Sequence, residues 1–531
     1  MTELDVKLTE NSSKHEKPTM EELPPSLDKL IRLGKKGEGV YGIVYSACEK
    51  DEVATFAVKR NLIDVTGDFV GSIRELDILV RLNGHTHIVQ VNSIAFGDPF
   101  IGGDGNVLSP VSDSEYKDDK IHFIFEEARE DGSSYFSDAS WIDLKRCMVH
   151  LLLAVEFCHE KGVIHRDLKP ANLLIFNSPT EKNPPILKVC DFGLSKPITL
   201  QGEQTPSVVT SWYRAPEILS YEEYDSKADL WSVGCIFYEM VTKIPLLHGS
   251  PDRTEIILSH LSELFPLLKI KADRTLSRRR SRHTWITQLK KKAREHEMKS
   301  QGWNMEQFID LLEHLLCHAR ERYTATEALD HIFFLSYADY ITSTRQKFPP
   351  TLPPEPVIKL VKNKERDAAC KIVKKIFCER VKYSWYSHRI LFQSLSLFDR
   401  YLLSDVKKEP LNNKKLRLSF TACLYIAVKY FMTMTSLIPF SVLYGEISDE
   451  EKRWTENFEI TFLEKVAGYS VYEPTLYEAA DLFDEILDDN HTEDLLNIFI
   501  DGRVKRRNTQ EMFDINGLKP SHVYAYYRGK Q

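Results

Sequence analysis

No CxxC pair occurs among the nine cysteines of this 531-residue chain, and their number is odd. A disulfide framework or a cysteine zinc site has no support, and the pattern suits a reducing compartment. No apolar run approaches the roughly 18–20 residues of a membrane span. The N-terminus, MTELDVKLTENSSKHEKPTMEELPPS, lacks the apolar core of a secretory signal. Net positive charge is also missing: a formal charge of -8 argues against wholesale binding to nucleic acid or anionic lipid. No internal repeat is evident. These absences point to a soluble, intracellular chain with neither nucleic acid nor membrane expected as a partner.

The length allows two or three domains with cores that need no staples. Residues 1–28 read as a disordered tail. Strand-like alternation and glycine punctuation run from Leu33 to about Val58, and helical periodicity begins near Ile73 and dominates after Leu144. Sheet first and helices after is the order of a two-lobed α+β unit, placed at residues 29–335. Two segments interrupt it. Residues 97–120, rich in Gly, Asp, Ser and Pro, read as an extended loop insert. Residues 269–294 hold eleven Lys/Arg against one Asp. They read as a solvated insert, with an acidic partner or nuclear import as the alternative. Pro349, Pro350, Pro353, Pro354 and Pro356 mark a spacer, assigned to residues 336–364. A helical domain at 365–475 and an extension at 476–531 follow.

The chemistry-bearing motifs lie in the first unit. Gly37–Val44, GEGVYGIV, follows a strand and runs into another strand rather than a helix. That context favours a glycine flap over nucleotide phosphates, where side chains would block close backbone approach. Lys59, in the apolar strand FAVKR, needs a partner or a ligand, and Glu75 in SIRELDILVRL is the candidate counter-ion. In HRDLKPAN, His165–Asn172, Asp167 can accept the proton of an incoming hydroxyl and Lys169 can neutralise charge on a transferring phosphoryl group. Asn172 can turn back to a magnesium ion, and Asp191 of DFG supplies the hard oxygens that magnesium prefers. Ala215-Pro216-Glu217, Asp229 and a late Arg322, positioned to pair with Glu217, complete the series.

These motifs, in this order, resemble the eukaryotic protein kinases, and most of all the cyclin-dependent kinases. GSIRELDIL is similar to their regulatory αC helix, and VVTSWYRAPEIL to their substrate-binding segment. The resemblance implies a two-lobed kinase fold using ATP and Mg²⁺. It implies a nucleotide site of Lys36, Gly37, Glu38, Gly39, Val40, Tyr41, Gly42, Ile43, Val44, Lys59, Glu126 and Ala128. Phe125 is then the gatekeeper, and Glu126 to Ala128 the hinge that meets adenine. Thr210 would bridge Lys169 and Asp167, as in serine/threonine-specific members, and the pocket around Val209 implies Ser/Thr-Pro targets in protein substrates. Tyr41 is the one inhibitory phosphorylation site retained in the glycine loop. Thr205 takes the place of the activating phosphothreonine, with Arg74, Arg166 and Lys196 as the cations that would gather on the phosphate.

In the second domain, Leu391, Leu395, Phe398 and Leu402 share one helical face, and Phe420, Leu424, Ala427 and Phe431 repeat the spacing. FTACLYIAV is apolar nearly all round, which predicts a helix in the middle of a bundle. SLSLFDRYLL, LRLSFTACLYIAVKYF and TENFEITFLEKVAGYSVYEPT resemble a cyclin box. Asp399-Arg400 then matches that family's aspartate–arginine pair, and Lys429 and Glu459 its kinase contacts. The implied architecture is a cyclin-dependent kinase followed by its own all-α cyclin-like bundle, a partner held within one chain. The alternatives are a kinase-fold scaffold without turnover, or a constitutive kinase whose C-terminal helices only dock other proteins.

Overall fold

The computed structural model describes residues 30–39, 42–49, 55–61, 70–96, 101–102, 121–178, 184–197, 212–247, 254–265, 285–292, 295–348, 363–378, 388–407 and 411–431, with short stretches and single positions beyond. Strands β1 (Leu30–Gly39), β2 (Gly42–Glu49) and β3 (Thr55–Asn61) form an antiparallel meander. Helix α1 (Val70–Arg81) follows, then β4 (Val91–Phe96), β5 (Ile101–Gly102) and β6 (Ile121–Glu126). The six strands make one sheet in the order β4-β6-β3-β2-β1-β5, antiparallel except where β5 meets β1. Thus two residues of the expected loop insert at 97–120 belong to the sheet edge.

Alternation along the strands divides this sheet into two faces. Leu30, Tyr45, Ala47, Val58 and Ile124 close a small core on one of them. On the other, Val44, Lys59 and Phe123 lie in register, as do Ser46, Ala57 and Phe125. That second face looks into the cleft.

A helical lobe lies below. It comprises β7 (Glu130–Asp131), α2 (Gly132–Asp138), α3 (Trp141–Glu160), β8 (Val163–Ile164), β9 (Leu173–Phe176), β10 (Ile186–Val189), β11 (Lys196–Pro197), α4 (Pro216–Leu219), α5 (Lys227–Thr242), α6 (Thr254–Leu264), α7 (Trp285–Lys292), α8 (Glu295–Ser300), α9 (Met305–Leu315), α10 (Ala325–Leu329) and α11 (Ala338–Lys347). Helix α3 starts where Ser140 accepts the Asp143 amide, and it is buried along most of its length. At Gly234 of α5 a Cβ would sit 2.8 Å from Leu316 Cδ2, so the helix packs there only because the residue is glycine.

Two sequence expectations need correction. Trp285 and Leu289 of α7 are buried, with Trp285 beside Phe265. Within the basic segment 269–294, Trp285–Lys292 is therefore a packed amphipathic helix, not part of a solvated insert. Helix α11 likewise lies within the expected spacer 336–364. Ile341 is buried, and Tyr340 bonds to His87 at 2.8 Å.

Beyond residue 363, α12 (Lys364–Cys378), α13 (His388–Leu403) and α14 (Asn413–Phe431) pack into a second core. Leu391, Leu395, Phe398 and Leu402 are buried, and α14 is buried on every side from Leu418 to Phe431, as its all-round apolar sequence predicts. Phe458 and Phe462 join this core, while Val466 and Tyr469 lie outside the described residues. A short hairpin, β12 (Arg503–Lys505) and β13 (Met512–Asp514), lies in the extension, where the sequence pattern suggested nothing. Helix α1 serves both cores: Leu76, Ile78 and Leu79 enter the core shared with the helical lobe and Ile73 the other.

Candidate active site

Lys59 points from β3 into the cleft, with its Nζ 2.6 Å from Glu75 Oε1 and 3.0 Å from Asp191 Oδ1. The counter-ion expected from sequence is in place, and a second carboxylate joins it. Burial works to lower the Lys59 pKa, but Asp191 and Glu75 outweigh it and hold the ammonium above its ordinary value. Burial would raise the Asp191 pKa, but Lys59 holds it below the usual range. The cluster therefore offers a fixed cation beside an ionised carboxylate. Asp191 carries φ 63 and Arg166 φ 70, left-handed conformations that cost energy in non-glycine residues.

The loop from His165 to Asn172 is held from beneath by one carboxylate. Asp229 accepts the backbone amides of His165 and Arg166, each at 2.8 Å, and His159 Nε2 lies 2.8 Å away. Burial would raise the pKa of Asp229, but its bond to His159 leads the contacts that keep it low. The His165 ring is fixed between the Cys190 carbonyl and Phe192. Above this base, Asp167 Oδ2 receives Lys169 Nζ at 2.6 Å and Asn172 Nδ2 at 3.0 Å. Asn172 Nδ2 also donates to the Asp167 carbonyl at 2.8 Å, which leaves its amide oxygen as the end that can meet a cation. Asp191 and Asn172 thus present hard oxygen donors, a set that fits Mg²⁺. Arg322 grips Glu217 through Nη1 and Nη2, at 2.6 and 3.2 Å.

A family model, the protein kinase domain, matches residues 31–334. The chain belongs to the protein kinase family. Its relatives agree. It is 34% identical over 247 residues to "Cell division control protein 2 homolog D" of Antirrhinum majus, covering 46% of this chain and 73% of that one. It is 28% identical over 322 residues to "Cyclin-dependent kinase B1-1" of Arabidopsis thaliana, covering 58% and 97%. It is 31% identical over 329 residues to "Cyclin-dependent kinase C-3" of Oryza sativa subsp. japonica, covering 59% and 93%. The protein is a serine/threonine protein kinase, and its kinase domain implies the use of ATP.

Not every site residue expected from sequence meets its expected neighbour in this kinase. Arg166 and Lys196 come close in the chain trace, because Lys196 of β11 pairs with Ile164 of β8. Arg74 turns elsewhere: its guanidinium is buried and its Nε donates to the Tyr430 carbonyl at 2.9 Å. Val40, Tyr41, Thr205, Val209, Thr210 and Glu459 lie outside the described residues. Lys429 is buried, with its Nζ 4.2 Å from the Tyr425 ring centroid.

Other contacts were not foreseen. Glu127, between the two hinge residues singled out from sequence, pairs with Lys36 at 2.6 Å, and Glu126 pairs with Lys188. The Tyr430 hydroxyl donates to Asp77 at 3.0 Å, and Asp77 also pairs with Arg81 at 3.0 Å. Arg366 meets Asp399 at 2.6 Å inside the helical domain. Asp77, Tyr430 and Asp399 lie in stretches singled out from sequence, but these pairings were not. No helix among the described residues is long and apolar enough to cross a membrane.

Proposed function

We propose that this kinase is of the cyclin-dependent type, that it phosphorylates Ser/Thr followed by Pro in proteins, and that its own C-terminal helices act as its cyclin. The contact of α1 with α14 supports the reading most directly. Tyr430 receives Arg74 on its carbonyl and gives its hydroxyl to Asp77, while Ile73 enters the second core. Between those anchored residues, Glu75 reaches Lys59 at 2.6 Å. Holding α1 on one face thereby keeps its acidic residue in the cleft on the other. Lys429, adjacent to Tyr430, and Glu459 are the further contacts we assign.

The glycine loop from Lys36 through Gly37, Glu38, Gly39, Val40, Tyr41, Gly42, Ile43 and Val44 covers ATP, and the backbone at Glu126 and Ala128 meets adenine. Lys59, oriented by Glu75, holds the α- and β-phosphates. Asn172 and Asp191 would hold Mg²⁺, which when bound offsets charge on the phosphates. Asp167 orients the attacking hydroxyl and takes its proton, Lys169 steadies the transferring phosphoryl group, and Thr210 bridges these two. Phosphate on Thr205 would gather Arg166 and Lys196. Arg74 would serve both that phosphate and α14, so its loss should affect activation and docking together. Phosphate on Tyr41 would inhibit.

The test compares the full chain with a chain ending after Phe348, without added cyclin. The end point matters, because Tyr340 and Phe348 pack on His87 and His85. The short chain should be nearly inactive, and residues 349–531 supplied separately should rescue it only at high concentration. Tethering supplies an effective concentration in the ~mM range that the separate piece lacks. Equal activity of the two chains would make the helices a docking module. The scaffold alternative is disfavoured because Lys59 meets Asp191 and Lys169 meets Asp167.

A further inference from the structure

Consecutive hinge residues send their carboxylates in opposite directions, as strand alternation requires. Glu126, the last residue of β6, pairs with Lys188 of β10 in the helical lobe. Glu127 turns the other way. Its Oε1 lies 2.6 Å from Lys36 Nζ on β1, and its Oε2 accepts Ser46 Oγ of β2 at 2.9 Å. Lys36 is the extra residue at a bulge, between the Lys35–Tyr45 and Gly37–Val44 pairs, immediately before the glycine loop. Ser46 lies in register with Ala57 and Phe125, on the face of the sheet that carries Lys59 into the cleft. The contact therefore spans from the root of the glycine loop to the hinge on the cleft side.

We propose that Lys36, Glu127 and Ser46 form a strap across the outer mouth of the nucleotide cleft, setting how tightly nucleotide is held and how fast ADP leaves. The inference rests on the assignment of the adenine edge to Glu126 and Ala128. Glu127 is only 10% exposed, while Lys36 is 51% exposed. The carboxylate is thus a fixed anchor, and the lysine is the arm that can swing out. Burial would raise the Glu127 pKa, but the bonds from Lys36, Thr55 and Ser46 keep it below its ordinary value, so the anchor stays charged at neutral pH. Closing the arm carries β1, and the glycine loop with it, toward the hinge. Opening it leaves Lys59, Glu75, Asp167 and Asp191 where they are. The strap is a positioning device acting through β1, and its loss should appear in nucleotide affinity before it appears in turnover.

The experiment uses the full chain with a fluorescent ADP analogue, displaced by excess ATP in a stopped-flow instrument, together with steady-state KM and kcat for ATP. Lys36→Met and Glu127→Gln should each raise the ADP off-rate and the ATP KM about fivefold, the size of a partly exposed charged contact. In Glu127→Gln, kcat should change less than about twofold. The charge swap Lys36→Glu with Glu127→Lys should bring both constants back toward wild type, since each side chain then meets an opposite charge. A swap as impaired as the worse single variant would overturn the strap. Unchanged off-rates in both single variants, with normal binding of the analogue, would also overturn it. If the unmodified kinase bound no analogue at all, the assignment of the adenine edge would fall instead.

Discussion

Arg322 and Arg366 are both buried arginines facing a carboxylate, one in the kinase lobes and one in the C-terminal helices, but they join different things. Arg322 spreads over Glu217 and the carbonyls of Lys227 and Cys317, with Trp231 against its guanidinium. It ties the Ala215-Pro216-Glu217 motif to α5 and to the chain after α9. Arg366 meets Asp399 across α12 and α13, helices whose other buried groups are almost all apolar. The kinase lobes use buried polar residues to fix groups that react. The C-terminal domain uses an ion pair to register two helices, and among the described residues α14 meets the side of α1. Two kinds of variant and an acid titration break the two halves apart, and a last set of variants tests the seam between them.

The largest effect should come from the kinase half. Asp167→Asn keeps a hydrogen-bonding side chain for Lys169 but removes the base, so phosphotransfer should fall ~10²–10⁴-fold. Nucleotide binding should stay close to wild type, because Lys59 and Asp191 are untouched. Near-normal turnover in this variant would remove Asp167 from the role of base.

Next come the two arginines. Replacing either with methionine takes the arginine away from a buried carboxylate, a loss of about 3–5 kcal/mol where the site cannot admit water. Urea unfolding with two probes should separate them. Arg322→Met should lower the kinase transition, and Arg366→Met the transition of the helical domain. Activity should fall in both, but only Arg366→Met should leave the nucleotide site able to bind ATP normally. If Arg366→Met left activity intact, the helices would have no part in holding α1.

This contrast also explains what the sequence conveyed. The two-lobed fold and the polar cluster of the kinase half were legible, since proton and phosphoryl transfer demand particular residue types at set spacings. For the C-terminal half, periodicity alone gave helices and their buried faces. The contacts that link the halves left no such mark. Tyr430 and Asp77 are 353 residues apart, and Lys36 and Glu127 are ordinary charges until the sheet brings them together. In the basic segment, the density of Lys and Arg hid the spacing of Trp285 and Leu289 that makes α7 a packed helix.

Acid should also separate the halves. Burial holds His85 near 3 and His87 near 4, and pushes His150 well below its ordinary value. His87 Nδ1 donates to the Leu187 carbonyl at 3.0 Å, which leaves Nε2 of the neutral ring to accept Tyr340 Oη at 2.8 Å. The cationic neighbours Lys347, Lys188 and Arg146 oppose protonation further. A histidine depressed in this way stabilises the fold fully above its unfolded pKa near 6.5. That contribution is lost as pH falls from there toward the folded values. No histidine is among the buried residues described beyond residue 363. The kinase lobes should therefore lose stability first between about pH 6.5 and 4. Tryptophan fluorescence should report it, because five of the seven tryptophans precede residue 349. Equal acid sensitivity of the two halves would count against the histidine cluster as the cause.

The smallest expected effect lies at the seam. Tyr430→Phe keeps the main-chain carbonyl that receives Arg74 and removes only the hydroxyl that reaches Asp77. Asp77 is fully buried, and Arg81 still meets it, so the carboxylate loses one donor rather than all compensation. A hydrogen bond to a charged group is worth about 1.5–3 kcal/mol, and the remaining ion pair should bring the loss toward the lower end, roughly tenfold in the docking equilibrium. Docking within one chain starts from a high effective concentration, so part of that loss is absorbed and turnover should fall only severalfold. Amide exchange along α1 is the sharper readout: residues 73–81 should open more often in the variant while β3 and α3 stay protected. Asp77→Asn should give a smaller change than Tyr430→Phe, since an amide oxygen can still accept the hydroxyl. If α1 exchanged at the wild-type rate in Tyr430→Phe and turnover were unchanged, the hydroxyl would contribute nothing to the position of Glu75. The burden of holding α1 would then fall on Ile73 and Arg74 alone.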